Sequence, residues 1–421
     1  MNRISQQIRR KPSAFHVYIT LELAAALLYS LIFTVDSVYH VTVARLNPLQ
    51  LVLVGTILET TVFLFEIPTG VLADVKSRRW SVILGYFLVG LAFILEGSLP
   101  FFWTIALAQV VWGIGHTFTS GATQAWIADE VGEARAGEAF LRGSQGARVG
   151  ALVAIPLGIL LGRGNVALPV VLGGVGMAFL AIFLLLAMRE EGFQPTPAQD
   201  RTSLGSMLKT MQDARQLTRR QPVVLTLLGI GFFYGLYSEG FDRLSTIHLL
   251  RGFVTPWLQA VQPVVWYGAL RGVQQLAGLL LTEIIRKRVQ TRQASAMARV
   301  LRSNTLGIIL ALAGFALTRN WGLAVVLYLC VQTLRIVNGP LQDAWLNQRI
   351  DNSQVRATVF SVSSQVDAIG QITGGPLVGG IGNAVSVRAA LLTSALLLSP
   401  VLRLYSAAMR HTEALRGGRS S

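Results

Sequence analysis

The chain has 421 residues, of which 52% are hydrophobic and only 14% are charged. Apolar stretches fill almost all of this length, which leaves no room for a soluble catalytic domain and predicts a polytopic membrane protein. The formal net charge of +15 would suit a nucleic-acid-binding protein, but the positions of the basic residues argue against that class.

The apolar stretches divide into two sets of six. The first set covers residues 15–33, 51–72, 80–98, 102–127, 140–161 and 167–188. The second set covers residues 223–250, 261–285, 305–317, 322–345, 359–381 and 387–405. Most approach the ~20 residues that cross a hydrocarbon core, and 305–317 is the shortest. We therefore predict an N-terminal six-helix bundle over 1–188, a cytoplasmic linker over 189–222, and a C-terminal six-helix bundle with a cytoplasmic tail over 223–421. Two equal halves indicate a transporter.

Basic residues concentrate in the segments between alternate stretches. With both termini placed in the cytoplasm, the inside segments hold 27 of the 36 lysines and arginines, whereas the outside loops hold 5. This asymmetry follows the positive-inside rule and predicts cytoplasmic N- and C-termini. The basic excess then faces anionic lipid, not nucleic acid. The predominance of arginine, 32 against 4 lysines, favours a GC-rich bacterium and a location in its plasma membrane.

Stretches 140–161 and 359–381 are related by a shift of 220 residues. The shift places Ser144 on Ser364, Gln145 on Gln365, Gly150 on Gly370 and Pro156 on Pro376. Shared polar, glycine and proline positions in one register indicate an internal repeat. Small residues let helix backbones approach closely and proline bends a helix, so we predict a helix-packing motif at Gly150, Pro156, Gly370, Gly374, Gly375 and Pro376.

The loop between the second and third stretches carries the most specific local pattern. It contains Gly70, Asp74, Arg78 and Arg79 within ten residues. Asp74 is predicted to cap the third helix or to meet an arginine of the other half, and the two arginines to anchor the turn at the cytoplasmic surface. Such a charge cluster can hold two halves together in one state and release them in the other, which indicates a conformational switch.

This loop resembles the signature of the major facilitator superfamily, although Val75 and Ser77 stand where a basic residue and a glycine are common. The resemblance implies an all-α membrane protein with twelve transmembrane helices in two six-helix bundles. It also implies alternating access to a midplane site and function as a monomer. The glycine-proline pattern of 140–161 is similar to that of drug:proton antiporters such as the macrolide and tetracycline exporters. That similarity implies efflux driven by a proton gradient, without a bound cofactor.

Ionisable residues inside apolar stretches cost roughly 2.5–3.5 kcal/mol or more at the bilayer centre, so they indicate function. The proton-coupling candidates are Glu59, which lies nearest the midplane, and Glu66, Asp36, Glu22 and Asp367. The predicted ion pairs are Glu66 with Arg148, Asp242 with Arg271, Arg335 with Asp367, and Glu239 with Arg243.

Aromatic and polar residues of the stretches are candidates for the substrate cavity. They are Tyr29, Trp112, His116, Gln145, Tyr234, Tyr237 and Gln365. An aromatic, carboxylate-lined cavity suits export of small lipophilic or cationic compounds. A cavity dominated by arginine, asparagine and glutamine would favour an uptake or metabolite permease that works by symport or uniport.

Catalytic chemistry has no recognisable pattern in the chain. The five histidines show no metal-ligand spacing, and no nucleophile elbow or nucleotide-binding loop appears. The sequence therefore predicts neither an enzyme nor a metal site.

Overall fold

A computed structural model of the chain describes residues 13–195, 222–253, 260–288, 294–347 and 353–417. These ranges form fourteen α-helices, which we label in chain order. The first seven are α1 (Ala14–Thr42), α2 (Pro48–Val75), α3 (Arg78–Ser98), α4 (Phe102–Thr119), α5 (Ala122–Val131), α6 (Glu133–Gly164) and α7 (Leu168–Ala187). The others are α8 (Pro222–Arg251), α9 (Pro263–Arg288), α10 (Ala294–Leu317), α11 (Trp321–Asn347), α12 (Ser353–Ala384), α13 (Val387–Leu398) and α14 (Pro400–Gly417).

These helices correspond to the twelve predicted stretches, because two stretches are each built from two helices. The stretch over 102–127 is divided between α4 and α5 at Gly121, whose positive φ of 72° suits glycine. The stretch over 387–405 is divided between α13 and α14, where Pro400 begins the second helix. Eight helical segments of the described residues are long and apolar enough to cross a membrane. The predicted all-α membrane fold is confirmed.

Two helices are longer than their apolar stretches. The stretch over 305–317 lies in α10, which begins at Ala294, so it is a full-length helix despite its short apolar part. Helix α1 continues nine residues beyond Phe33 to Thr42. The extension places Asp36 and His40 on one helix, four residues apart, so their side chains lie on the same face.

The described residues divide into two compact units. Unit 1 draws on Met1–Arg45, Thr61–Leu204 and Gln262–Ala269, and unit 2 on Leu46–Thr60, Gly205–Val261 and Leu270–Ser421. The division therefore cuts α2 and α9 as well as the region between α7 and α8. Most of the predicted linker, residues 196–221, lies outside the described residues.

Unit 1 has an apolar core and an apolar exterior. Leu21, Ile32 and Phe93 are almost completely buried between its helices. Phe179 and Leu186, in contrast, are 65% and 68% exposed. Large apolar side chains on the exterior suit contact with lipid, where each helix satisfies its own backbone hydrogen bonds.

Equivalent glycines let helices approach each other in the two units. In unit 1, a Cβ added at Gly150 of α6 would lie 2.3 Å from the carbonyl oxygen of Leu23 in α1. In unit 2, a Cβ added at Gly370 of α12 would lie 2.3 Å from the carbonyl oxygen of Phe232 in α8. The two positions are related by the 220-residue shift, so the sequence repeat corresponds to a repeated backbone contact. Gly374 approaches the Leu236 carbonyl in the same way, at 2.1 Å.

We expect Gly150→Ala to lower the melting temperature of the protein, because its methyl group would overlap the Leu23 carbonyl. Overpacking of this kind typically costs about 1–3 kcal/mol. Gly137→Ala is the matched control on the same helix, since no atom lies within 4 Å of a Cβ there. Thermal unfolding in detergent measures both variants, and equal melting temperatures would contradict the close contact.

Candidate functional site: a polar cavity and two charged clusters

A cavity of about 290 Å³ lies in unit 2 between α8, α11 and α12. Its lining residues are Tyr234, Tyr237, Ser238, Asp242, Arg335, Asn338, Gly339, Gln342, Asp367 and Gln371. Nearly all of these side chains carry a hydrogen-bond donor or acceptor. The volume lies near the lower end of the ~300–1,000 Å³ of typical ligand pockets, so the cavity suits a small solute.

Arg335 is held on several sides within this cavity. Its two terminal nitrogens donate to the two carboxylate oxygens of Asp242, one of them at 2.8 Å. This paired arrangement is the strong, directional form of an arginine–carboxylate contact. The guanidinium also lies over the rings of Tyr237 and Phe241, 5.8 and 5.4 Å from their centroids. Contacts on this many sides fix the position of the positive charge.

Asp367 supplies a second carboxylate to the cavity. Its Oδ2 accepts a hydrogen bond of 2.7 Å from Nε2 of Gln371, one turn further along α12. The hydroxyl of Tyr237 is buried and has no hydrogen-bond partner among the described residues. With Asp242 and Asp367 ionised, the cavity carries two negative charges and one positive charge, which favours a neutral or cationic solute over an anion.

The backbone packing of unit 2 explains why these side chains converge. A Cβ at Gly235 of α8 would lie 2.0 Å from the carbonyl oxygen of Asp367. The two helices therefore nearly touch at this level. Tyr234 and Tyr237 lie near that glycine on α8, so this approach of the two helices lets them line one cavity with Asp367.

Two of the ion pairs predicted for unit 2 have other partners in the structure. Asp242 binds Arg335 and not Arg271, so that predicted pair is wrong. Asp367 bonds to Gln371, whereas it was predicted to pair with Arg335. The charges were visible in the sequence, but periodicity alone does not say which helices are neighbours.

One predicted pair lies where the sequence places it. Oε2 of Glu239 lies 3.4 Å from Nε of Arg243, one turn along α8. This contact needs no knowledge of the tertiary structure, because residues four apart share a helix face.

A buried polar cluster joins α1, α3 and α4 of unit 1, and we call it the Glu96 cluster. Nε2 of His40 lies 2.6 Å from Oε1 of Glu96 and 3.5 Å from Oδ1 of Asp36. Gln109 donates to Oε2 of Glu96 at 2.9 Å. Sequence reasoning selected Asp36 but missed Glu96 and His40, although ionisable residues at the ends of two stretches were a usable signal.

The other predicted cavity residues do not line the cavity of unit 2. Tyr29 and Trp112 belong to an aromatic group in unit 1, where each ring lies within 6 Å of Phe33. His116 and Gln145 are exposed. The amide oxygen of Gln365 is buried without a hydrogen-bond partner among the described residues.

The remaining coupling candidates lie in different surroundings. Glu66 and Arg148 are exposed, and Glu22 and Glu59 are half-buried. Within the described ranges, no ion pair joins Glu66 to Arg148, so the predicted pair is absent there. The proton-coupling roles of Glu22, Glu59 and Glu66 stay predictions.

The loop between α2 and α3 binds α5 and the end of α7. Arg78 bonds to Asp129 of α5. Arg79 donates to the carbonyl oxygens of Met188 and Leu185 at 2.9 and 2.7 Å. Glu190 accepts the backbone N–H of Arg79 at 2.9 Å. The two arginines therefore connect three helices of unit 1, and their anchoring of the turn at the cytoplasmic surface stays a prediction.

Asp74 does not cap α3. The cap is Ser77, whose hydroxyl accepts from the N–H of Trp80 at 3.0 Å, as serine commonly does at this position. Asp74, near the end of α2, lies 3.4 Å from Arg78, the first residue of α3. These contacts of Asp74 and Ser77 lie within unit 1, and the conformational-switch role of the loop stays a prediction.

We expect Arg79→Ala to lower the melting temperature, because it leaves the Met188 and Leu185 carbonyls without their donor. Hydrogen bonds to charged groups contribute about 1.5–3 kcal/mol each. Lys76→Ala is the matched control, since that exposed side chain lies in the same loop. If the Arg79 hydrogen bonds stabilise the fold, Arg79→Ala unfolds at a lower temperature than Lys76→Ala. An equal fall in the melting temperature of both variants would contradict this role.

Comparisons with known proteins agree with this architecture. The family profile of the Major Facilitator Superfamily matches residues 13–375. An uncharacterized MFS-type transporter, YxaM, of Bacillus subtilis (strain 168) is 24% identical over 367 residues, which cover 85% of this chain and 87% of that protein.

Solved structures show the same fold. The nucleoside transporter NupG has a TM-score of 0.72 at 14% identity and covers 95% of this chain and 99% of its own. A bacterial homolog of the human lysosomal transporter Spinster has a TM-score of 0.69 at 16% identity, covering 94% and 96%. A POT family transporter in complex with 5-aminolevulinic acid has a TM-score of 0.68 at 13% identity, also covering 94% and 96%.

The match to this family identifies a multi-pass membrane transporter of small molecules, not an enzyme. The family match extends over most of the chain. The chain belongs to the Major Facilitator Superfamily.

Proposed function

We propose that this chain is a secondary transporter for a small polar solute, neutral or cationic, and that the cavity of unit 2 contacts that solute. One observation carries the proposal: the cavity is lined by hydrogen-bonding side chains around the Arg335–Asp242 pair. A buried polar group without a partner is costly, so a solute that fills this cavity must offer hydrogen bonds.

This lining favours a metabolite permease over an exporter of lipophilic drugs. The sequence leaves both hypotheses open. A cavity dominated by arginine, asparagine and glutamine was expected to favour the permease. Arg335, Asn338, Gln342 and Gln371 all line the cavity. The nucleoside and 5-aminolevulinic acid named for two of the similar structures are polar solutes of this size, which makes them useful probes.

Proton-coupled efflux of a small cation is the second candidate. Tyr234, Tyr237 and Asp367 line the same cavity, and aromatic rings together with a carboxylate bind organic cations. The similarity of stretch 140–161 to drug:proton antiporters also favours this candidate.

We propose the proton gradient as the driving force and Asp367 as the proton carrier. Asp367 lies in the cavity, where gain or loss of its charge changes the binding of a neighbouring solute. We also propose that it is a bacterial plasma-membrane protein that acts as a monomer with both termini in the cytoplasm. The excess of arginine over lysine supports the bacterial membrane, the family resemblance supports the monomer, and the distribution of basic residues supports the orientation of the termini.

A ligand panel on the purified protein tests the proposed solute class. The polar arm contains nucleosides, sugars, amino acids and 5-aminolevulinic acid, and the lipophilic arm contains tetracycline, a macrolide and cationic dyes. We expect a compound of the polar arm to raise the melting temperature, because binding to the folded state stabilises it.

Two variants test whether the ligand binds in the cavity of unit 2. The thermal shift should disappear in Gln371→Leu, which removes a lining amide, and persist in Gln124→Leu, which changes an exposed glutamine of unit 1. Stabilisation by the lipophilic arm alone would overturn the polar-solute proposal and restore drug efflux as the first candidate.

A further inference from the structure

We propose that the Glu96 cluster of unit 1 is a binding site for a divalent transition-metal cation of the zinc class, with Asp36, His40 and Glu96 as ligands. One ligand atom from each of these residues lies within 4.8 Å of the other two. The site lies in unit 1, apart from the polar cavity, and does not rest on the proposed function.

The three ligands suit this class of metal by chemistry. An imidazole nitrogen with two carboxylate oxygens is a mixed nitrogen and oxygen set that binds zinc and neighbouring divalent metals. Three protein ligands leave a fourth position for water or another donor. Cysteine is not needed, which agrees with a chain that holds a single cysteine.

The distances between ligand atoms require little rearrangement. Ligands about 2.0–2.2 Å from zinc in tetrahedral geometry lie about 3.4 Å from one another. Oδ1 of Asp36 is already 3.5 Å from Nε2 of His40. Oε1 of Glu96 is 2.6 Å from the same nitrogen, so that pair must open by less than about 1 Å.

An unpartnered oxygen supplies independent support. Asp36 is only 6% exposed, and its Oδ1 has no hydrogen-bond partner among the described residues. This same oxygen faces His40 within the cluster. A buried carboxylate oxygen without a donor is costly, and a cation bound at this point would satisfy it. The positive charge of the cation would also balance the negative charges of the two carboxylates, which both face His40.

A second layer of contacts orients Glu96. Gln109 of α4 donates to its Oε2 at 2.9 Å, which leaves Oε1 directed at His40. The hydroxyl of Tyr39 donates to the backbone carbonyl of Glu96 at 2.6 Å and holds α3 against α1. Outer contacts of this kind position ligands in metal sites.

No metal site was predicted from the sequence, because the three ligands are not all close together in the chain. Asp36 and His40 are one helical turn apart, but Glu96 is 56 residues away from His40 on another helix. Only the packing of α1 on α3 brings the set together.

Titration with Zn²⁺ alone, and with Co²⁺ alone, tests the site. The full-length protein is purified without a polyhistidine tag and treated with EDTA. Calorimetry should give one Zn²⁺ per chain, and bound Co²⁺ should show the visible absorption of a low-symmetry nitrogen–oxygen site. Zn²⁺ should also raise the melting temperature, because it links α1 to α3.

The variants separate this site from surface binding. Asp36→Asn should weaken Zn²⁺ binding at least tenfold, and it is expected to keep the contacts of Glu96 with His40 and Gln109, which do not involve Asp36. Gln109→Leu should weaken binding about 10–100-fold as a positioning change. His116→Gln, which removes an exposed histidine, should bind as the native protein does. Native protein that binds no Zn²⁺ stoichiometrically, or an Asp36→Asn variant with native affinity, would overturn the proposal.

Discussion

Asp242→Asn is expected to lower solute transport about 10–100-fold. The change leaves Arg335 in the cavity with a neutral partner, and charge-assisted hydrogen bonds contribute about 1.5–3 kcal/mol. The guanidinium is then free to turn away from the rings of Tyr237 and Phe241 that now flank it. The initial rate of solute entry into proteoliposomes measures the loss.

A double variant shows whether the pair serves structure or transport. Asp242→Asn combined with Arg335→Gln removes both charges, so the penalty of an unpaired charge disappears. We expect this double variant to recover the native melting temperature and to stay inactive. Recovery of both stability and transport would show that the pair is only structural and that the solute does not use it.

Asp367→Asn is expected to uncouple the transporter from the proton gradient. Asparagine keeps an oxygen that accepts the hydrogen bond of Gln371, but it cannot gain or lose a proton. Exchange of labelled for unlabelled solute should therefore continue, whereas accumulation driven by a pH gradient should fall to the level of protein-free liposomes. Both rates can be measured on the same preparation.

Glu138→Gln is the control for this prediction, since that carboxylate is exposed on unit 1 and is not a coupling candidate. It should retain gradient-driven accumulation. Should Asp367→Asn accumulate solute like the native protein, the coupling role passes to another candidate, and Glu59→Gln and Glu22→Gln would be measured next.

The transmembrane architecture follows from the sequence because one physical requirement dominates it. Apolar segments long enough to cross a bilayer must form helices, so their number was predicted correctly even though α4 and α5, and α13 and α14, are separate helices. The repeat was visible for a related reason. Gly150 and Gly370 each permit a backbone contact that a larger residue would obstruct, and such positions tolerate few alternatives.

Contacts between helices were predicted less well, because they depend on which helices are neighbours. Arg335 was paired with the wrong aspartate, since α8 and α11 are far apart in the chain. The partners of Arg78 and Arg79, Asp129 and Glu190, were missed because they lie 51 and 111 residues further along the chain. His40 escaped notice because α1 extends beyond its apolar part.

Solute counterflow in proteoliposomes tests the central claim most directly. Vesicles that contain the native protein are loaded with one compound of the polar arm, then given a trace of the same compound in labelled form, with no pH gradient. The account predicts transient accumulation of label for at least one polar solute, its loss in Asp242→Asn, and its persistence in Asp367→Asn. Counterflow with lipophilic cations alone, unaffected by Asp242→Asn, would contradict a polar-solute transporter that works through this cavity.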